Sequence, residues 1–113
     1  MVRVLFVCSR NRLRSPTAED LFRTWPGVHV ASAGLKPDAD EILTAEDLEW
    51  ADLVLVMEKR HKQELSRRFM PSLRDTPVAV LGVPDEYEYM APALVELLLR
   101  KVPPYLAGDR RRK

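Results

Sequence analysis

Cys8 is the only cysteine of the chain, and five residues separate it from Arg14. The apolar run at residues 2–7 predicts a buried strand, and Pro16 suits the first turn of a helix. A loop between a strand end and a helix start binds anions, because the first amides of the helix lack internal partners and point outward. The helix dipole and three neighbouring arginines would favour the thiolate form of the cysteine. The stretch therefore indicates a nucleophilic sulfur beside a bound oxyanion.

Composition excludes several other kinds of site. A single cysteine leaves no intrachain disulfide and no thiol-only metal cage, and a free thiol predicts a reducing, cytoplasmic location. His29 and His61 have no neighbouring ligands in the sequence, so we expect no metal and no cofactor. The net charge of +1 argues against general nucleic-acid binding. No apolar run approaches the ~20 residues of a membrane helix, and no signal peptide is evident, so we expect no membrane partner.

The elements that must position these residues alternate between strand and helix. Strands are predicted at 2–7, 28–33, 53–57 and 78–82, and helices at 16–25, 44–50, 58–69 and 91–102. This alternation indicates an α/β fold with right-handed crossovers and a parallel sheet covered by helices on both faces. We expect one domain, residues 1–113, with a frayed tail at 105–113. Ligands of such sheets bind outside the carboxyl ends of the strands, where Cys8 and the loop carrying Asp85 both lie.

Residues 8–15 fit the pattern Cys-x5-Arg-Ser and resemble the N-terminal loop of low-molecular-weight protein tyrosine phosphatases. Further blocks match in the family's order at residues 16–19, 32–34, 44–47, 52–57 and 84–87. The resemblance covers most of the chain. It implies a single three-layer α/β domain with a four-stranded parallel sheet of order 2-1-3-4 flanked by helices. It also implies a phosphoric monoester hydrolase of the protein-tyrosine-phosphatase type that uses no cofactor.

The resemblance assigns roles to the loop residues. Cys8 would attack phosphorus in line and form a cysteinyl-phosphate, and the planar fork of Arg14 would hold two phosphate oxygens. Ser15 would donate a hydrogen bond to the thiolate, although it fits a simple helix N-cap equally well. Asn11 would brace the loop, and backbone amides would complete the cradle. The predicted phosphate-binding residues are therefore Ser9, Arg10, Asn11, Arg12, Leu13 and Ser15.

Asp85 is the predicted general acid. Residues 84–87 resemble the family's Asp-Pro-Tyr element, with Glu86 in the place of the proline. A carboxylic acid that protonates the leaving oxygen contributes about 10²–10⁴-fold. Asp38 and Asp40 are alternative candidates. Tyr87, and Tyr89 beside it, fit either an aromatic wall of the substrate pocket or the rim of the core.

Three departures from the family bear on the substrate. The segment between Gly34 and Thr44 is short, and it lacks the family's extra helix and strand, the aromatic residue that flanks phosphotyrosine, and the histidine that braces the loop. Arg10 and Arg12 stand where the family usually has glycine and an apolar residue. Leu13 occupies a position that is often a second cysteine. The two arginines favour a ligand with more negative charge than one phosphotyrosine, such as a polyphosphorylated metabolite or a phosphorylated nucleic-acid end.

Several functions remain open at this stage. The first hypothesis is a phosphatase for phosphotyrosine proteins or small phosphoesters, with nucleic acid only as a phosphorylated substrate. A non-catalytic phosphate-binding module is the alternative, and it would need neither a thiolate nor Asp85. A thioredoxin-coupled arsenate reductase needs further cysteines, which the chain lacks. We expect a monomer or a weak dimer.

Overall fold

The computed structural model describes residues 2–73 and 75–106. The strands are β1 (Val2–Cys8), β2 (Val28–Gly34), β3 (Leu53–Val56) and β4 (Val78–Val80). The helices are α1 (Arg14–Phe22), α2 (Ala45–Trp50), α3 (Lys59–Leu73) and α4 (Pro92–Lys101). The strands form one parallel sheet in the order β2-β1-β3-β4. The predicted α/β class and strand order are therefore confirmed.

Strand β1 lies at the centre of the sheet, and its side chains alternate between two cores. Val4 and Phe6 belong to the core under α1 and α4. Leu5 and Val7 belong to the core under α2 and α3. A strand covered on both faces needs apolar residues at successive positions, which explains the uninterrupted run in the sequence.

Two helices, α1 and α3, differ by three or more residues at one end from their predicted bounds. Helix α1 begins at Arg14 and ends at Phe22, so Trp25 lies beyond the helix, where its ring packs on Phe22 at a centroid distance of 4.7 Å. Helix α3 continues past its predicted end at residue 69 to Leu73, with Pro71 inside it. The backbone leaves helical geometry at Phe69 (φ −128°), and this kink accommodates a proline that lacks an amide hydrogen.

The predicted frayed tail divides into two parts. Residues 103–106 form a helical turn, and Leu106 is buried in the core under α1 and α4. The rest of the predicted tail, from residue 107, lies outside the described residues. Within the described ranges, no helix has the length and hydrophobicity required to cross a lipid bilayer.

The sheet brings the predicted site residues to one edge. Cys8 is the last residue of β1 and pairs in register with Gly34, the last residue of β2. Met57, which follows β3, donates its backbone N–H to Val7 O at 3.1 Å. The loop after β4 begins beside these ends, because Val83 donates its N–H to Met57 O at 2.8 Å. All four strand ends therefore open onto the same surface.

Candidate active site

The loop between β1 and α1 forms the floor of a cavity of about 240 Å³. Seven residues line it: Cys8, Ser9, Arg10, Arg12, Leu13, Arg14 and Asp85. The three predicted catalytic residues are thus brought together, although 71 to 77 positions separate Asp85 from the other two along the chain. In the described part of the chain, no group of three or more His, Cys, Asp and Glu side chains is arranged to hold a metal ion.

The sulfur of Cys8 is held beneath the cavity by two hydrogen-bonding groups. The backbone N–H of Asn11 donates to Sγ at 3.3 Å, and the Ser15 hydroxyl lies 3.0 Å from Sγ. The side-chain amide of Asn11 donates to Ser15 Oγ at 2.9 Å, so the hydroxyl proton of Ser15 is available for the sulfur. Donors directed at an ionisable atom stabilise its charged form. The arrangement therefore places two hydrogen-bonding groups against the nucleophile candidate.

Asn11 and Ser15 occupy specific backbone positions. Asn11 is buried and has φ +56°, in the left-handed region that asparagine tolerates better than most residues. Ser15 is the second residue of α1, and the N-cap position belongs to Leu13. The alternative prediction that Ser15 is only a helix N-cap is therefore wrong.

Arg14 is fixed from behind by groups that the sequence analysis did not identify. Its Nη1 donates to Glu58 Oε2 at 2.5 Å and to Val83 O at 2.7 Å. The Arg14 side chain is only 3% exposed. Hydrogen bonds from Arg60 and Arg14 lower the pKa of Glu58 to about 2, so Glu58 is a carboxylate at neutral pH. The opposite edge of the guanidinium, formed by Nε and Nη2, remains the edge on which a phosphate would sit.

Asp85 is the acid that lies at this edge. Its Oδ1 is 3.8 Å from Arg14 Nε, and its side chain is well exposed in the loop after β4. Asp38 and Asp40, the alternative acids, instead bind the rim arginines. Arg10 Nε lies 3.1 Å from Asp38 Oδ2, and Arg12 Nε lies 3.1 Å from Asp40 Oδ1. The positive charge predicted at the rim is therefore offset by two carboxylates.

Part of the chain is similar in sequence to known phosphatases. No protein-family model matches the chain. Among curated proteins, a protein-arginine-phosphatase of Bacillus subtilis (strain 168) is 36% identical over 58% of this chain and 62% of the relative. The low molecular weight protein-tyrosine-phosphatase Wzb of Salmonella typhi is 37% identical over 52% of this chain and 56% of the relative. The chain thus spans less than two thirds of the length of these curated relatives.

Solved structures match over nearly the whole chain. The YwlE arginine phosphatase from Geobacillus stearothermophilus has a TM-score of 0.72 at 25% identity, and the match covers 100% of this chain and 98% of that one. The tyrosine phosphatase Wzb from Escherichia coli K30, solved with phosphate, has a TM-score of 0.75 at 25% identity, covering 96% and 99%. The chain is thus similar in fold and in sequence to low molecular weight protein tyrosine phosphatases.

A histidine supports the loop of this chain, but from an unexpected element. His61, in the first turn of α3, is buried, and its Nε2 lies 3.1 Å from Ser9 Oγ. Its Nδ1 accepts the backbone N–H of Glu58 at 3.0 Å. The sequence analysis considered His61 only as a metal ligand, and it predicted no such role. The one available signal was an imidazole in the first turn after a buried strand, at the sheet edge where the phosphatase loop lies.

The short connection after β2 holds the loop from its other side. Leu35 N donates to Cys8 O at 3.1 Å, Lys36 N to Ser9 O at 2.8 Å, and Asp40 N to Arg10 O at 3.0 Å. Gly34 makes this approach possible, because a Cβ atom there would lie 2.8 Å from Ser9 O. The shortened segment is therefore a direct support of the loop.

The tyrosines of the loop after β4 do not line the cavity. Tyr87 is half-buried and packs against the core under α1 and α4. The hydroxyl of Tyr89 donates to Asp20 on α1, and Met90 N donates to Thr17 Oγ1 at 3.0 Å. The core-rim alternative describes the position of Tyr87, and the contacts with α1 fix the loop that carries the predicted acid.

Proposed function

We propose that the chain is a cysteine-dependent phosphomonoesterase that works through a cysteinyl-phosphate on Cys8. The observation that carries the proposal is the position of the sulfur. It lies at the floor of the cavity between two hydrogen-bonding groups, while the open edge of Arg14 and the carboxyl of Asp85 lie above it. The proposed nucleophile, phosphate clamp and acid all line this one cavity, which supports the proposal.

The first step would form the bond between sulfur and phosphorus. The thiolate attacks phosphorus in line, and the bond to the leaving oxygen breaks with its electron pair. Asp85, in its protonated form, gives that oxygen a proton. The amides of the loop and the Nε–Nη2 edge of Arg14 hold the three equatorial oxygens, whose hydrogen bonds strengthen as charge spreads in the transition state.

The second step would return the enzyme to its starting state. Asp85, now a carboxylate, takes a proton from a water molecule that attacks phosphorus. The phosphorus–sulfur bond breaks, and inorganic phosphate leaves. The hydrogen bond from the Ser15 hydroxyl stabilises the departing thiolate, which makes the sulfur a better leaving group.

Two classes of phosphoprotein substrate follow from the relatives. Those described above include a protein-arginine-phosphatase and a protein-tyrosine-phosphatase. We propose phosphotyrosine as the default, and phosphoarginine as the second candidate. Both place a planar group beyond the phosphoryl group, and the open mouth of the cavity can admit either.

A polyphosphorylated metabolite or nucleic-acid end is a third candidate, from the rim arginines. Because Arg10 and Arg12 already bind Asp38 and Asp40, we expect the double variant Arg10→Ala/Arg12→Ala to change the turnover of an aryl monophosphate by less than about threefold. A loss that is much larger for polyphosphorylated compounds than for the aryl phosphate would instead assign the arginines to a polyanionic substrate.

The decisive experiment compares the wild-type chain with Cys8→Ser. Substrates are an aryl phosphate, peptides with phosphotyrosine or phosphoarginine, nucleotides and phosphorylated RNA or DNA ends, with vanadate as inhibitor. The wild type is expected to turn over at least one class, and Cys8→Ser to bind phosphate without turnover. Rapid quenching and mass spectrometry should find phosphate on the peptide that contains Cys8. Full activity of Cys8→Ser would refute the mechanism, and phosphate binding without wild-type turnover would indicate a binding module.

A further inference from the structure

We propose that the Ser9 hydroxyl donates a hydrogen bond to the phosphoryl group in the cavity, and that His61 orients it. Ser9 is then a substrate-binding side chain, in addition to its backbone amide, and His61 is a positioning residue. The inference rests on the proposed function, because it concerns the phosphate site of the same cavity.

The hydrogen bonds of His61 determine which ring nitrogen carries the proton. The backbone N–H of Glu58 can only donate, and it is directed at Nδ1 at 3.0 Å. Nδ1 is therefore unprotonated, and in the neutral ring the proton lies on Nε2. Nε2 is 3.1 Å from Ser9 Oγ and must be the donor in that contact. His61 thus occupies a lone pair of the Ser9 oxygen and leaves the Ser9 hydroxyl proton free.

The position of Ser9 between His61 and the cavity determines where its O–H group can point. Ser9 lines the cavity, whereas His61 is buried behind it. Among the described residues, the Ser9 hydroxyl has no hydrogen-bond partner except His61. With the imidazole on its buried side, the O–H group can turn toward the cavity, where a phosphate oxygen would accept it.

The same tautomer excludes a different role for the pair. A histidine that activates a serine nucleophile must accept the serine proton, which a protonated Nε2 cannot do. Burial, with further contributions from Arg14 and Arg60, lowers the pKa of His61 to about 4, so the ring stays neutral at neutral pH. Ser9 is therefore a donor and not a second nucleophile.

The test measures the affinity for inorganic phosphate by titration calorimetry, which needs no turnover. Ser9→Ala should weaken phosphate binding about tenfold, since hydrogen bonds to charged groups are worth somewhat more than neutral ones. His61→Leu should weaken it to a similar extent, whereas His61→Gln should retain most of the affinity because its amide can still donate to Ser9. His29→Leu is the control, because His29 is exposed and pairs with Arg3 at the far end of β1.

A double-mutant cycle separates positioning from general support. On the Ser9→Ala background, His61→Leu should cause no further loss. An equal loss in both backgrounds would make His61 a structural residue and overturn the proposal, as would unchanged affinity in Ser9→Ala. If His61→Leu does not fold, Ser9→Ala and the ¹⁵N chemical shifts of the wild-type imidazole decide alone. A proton on Nδ1 would overturn the proposal.

The outcome is distinguishable from failure of the proposed function. Phosphate binding without turnover of any substrate would refute the phosphatase, yet the dependence of that binding on Ser9 and His61 would still decide this inference. Absence of phosphate binding in the wild type would overturn both.

Discussion

Replacing Glu58 by glutamine tests how firmly the phosphate-binding arginine is held. Glu58 Oε2 lies 2.5 Å from Arg14 Nη1, and the two side chains are 24% and 3% exposed. Glutamine keeps the shape and one acceptor oxygen but removes the charge. Because Arg14 is almost completely buried, loss of its counter-charge should reduce both the stability of the fold and the fixed orientation of the guanidinium.

The size of the effect follows from the pKa of Glu58. Hydrogen bonds from Arg60 and Arg14 lower it from 4.5 to about 2. At about 1.4 kcal/mol per pKa unit this corresponds to at most about 3 kcal/mol of stability. Arg60 is well exposed, and its share is screened by solvent. We therefore expect Glu58→Gln to lower the free energy of unfolding by about 1–2 kcal/mol at pH 7.

The pH dependence has a definite sign. Since the folded pKa lies below the unfolded value, the contribution of Glu58 is complete above about pH 4.5 and is lost as the pH falls toward 2. Urea unfolding of the wild type and Glu58→Gln at pH 7 and pH 3 measures this. The difference in the free energy of unfolding between the two proteins should be clearly smaller at pH 3 than at pH 7. In a separate kinetic assay, kcat/KM of Glu58→Gln should be about ten- to a hundredfold lower than that of the wild type, because the guanidinium is less firmly oriented.

Glu64→Gln is the matched control. Glu64 lies in α3, which begins directly after Glu58, and binds Arg68 at 2.6 Å, but that pair is exposed and should contribute below about 0.5 kcal/mol. If Glu58→Gln is no more destabilising than Glu64→Gln at pH 7, or if its effect does not change with pH, the reasoning about Arg14 is refuted.

Two further predictions concern the acid and the support of the loop. In steady-state kinetics, Asp85→Asn should lower kcat about 10²–10⁴-fold for alkyl or phenyl phosphates. The loss should be much smaller for p-nitrophenyl phosphate, because its leaving group needs no proton. Equal losses for both kinds of substrate would show that Asp85 is not the general acid. Gly34→Ala places a Cβ 2.8 Å from Ser9 O and should cost about 1–3 kcal/mol in thermal unfolding together with most of the activity. Gly27→Ala, which meets no atom within 4 Å, should reduce stability only, through its φ of +80°; similar activity in both variants would contradict the support by Gly34.

The sequence was most informative where a local pattern carries the structure. The apolar run of β1 predicted a central strand, because only a strand covered on both faces is apolar at successive positions. The helix predicted at residues 44–50 has Thr44 as its N-cap, and Thr44 and Asp47 form the reciprocal capping hydrogen bonds. In these cases the interacting residues are neighbours in the chain.

Contacts between distant residues escaped the sequence analysis. Glu58 reaches Arg14 across 44 positions and His61 reaches Ser9 across 52, so no local spacing records either pair. The support of the loop by residues 35–40 depends on backbone N–H groups. Because nearly every residue type has such a group, the sequence does not indicate these contacts. The end of α3 was missed because Pro71 normally ends a helix, whereas a kink at Phe69 lets this one resume.

The central place of β1 has a consequence for how the protein is made. Its second partner, β3, lies roughly fifty residues further along the chain, and translation proceeds at about 5–20 residues per second. Because β3 is complete 22 residues after β2, the nascent strand has only β2 to pair with for about 1–4 seconds, and its other edge can then bind chaperones or other unfinished chains. Changes that slow translation of the residues between β2 and β3 should lower the yield of protein in the cell. They should do so before any property of the purified protein changes.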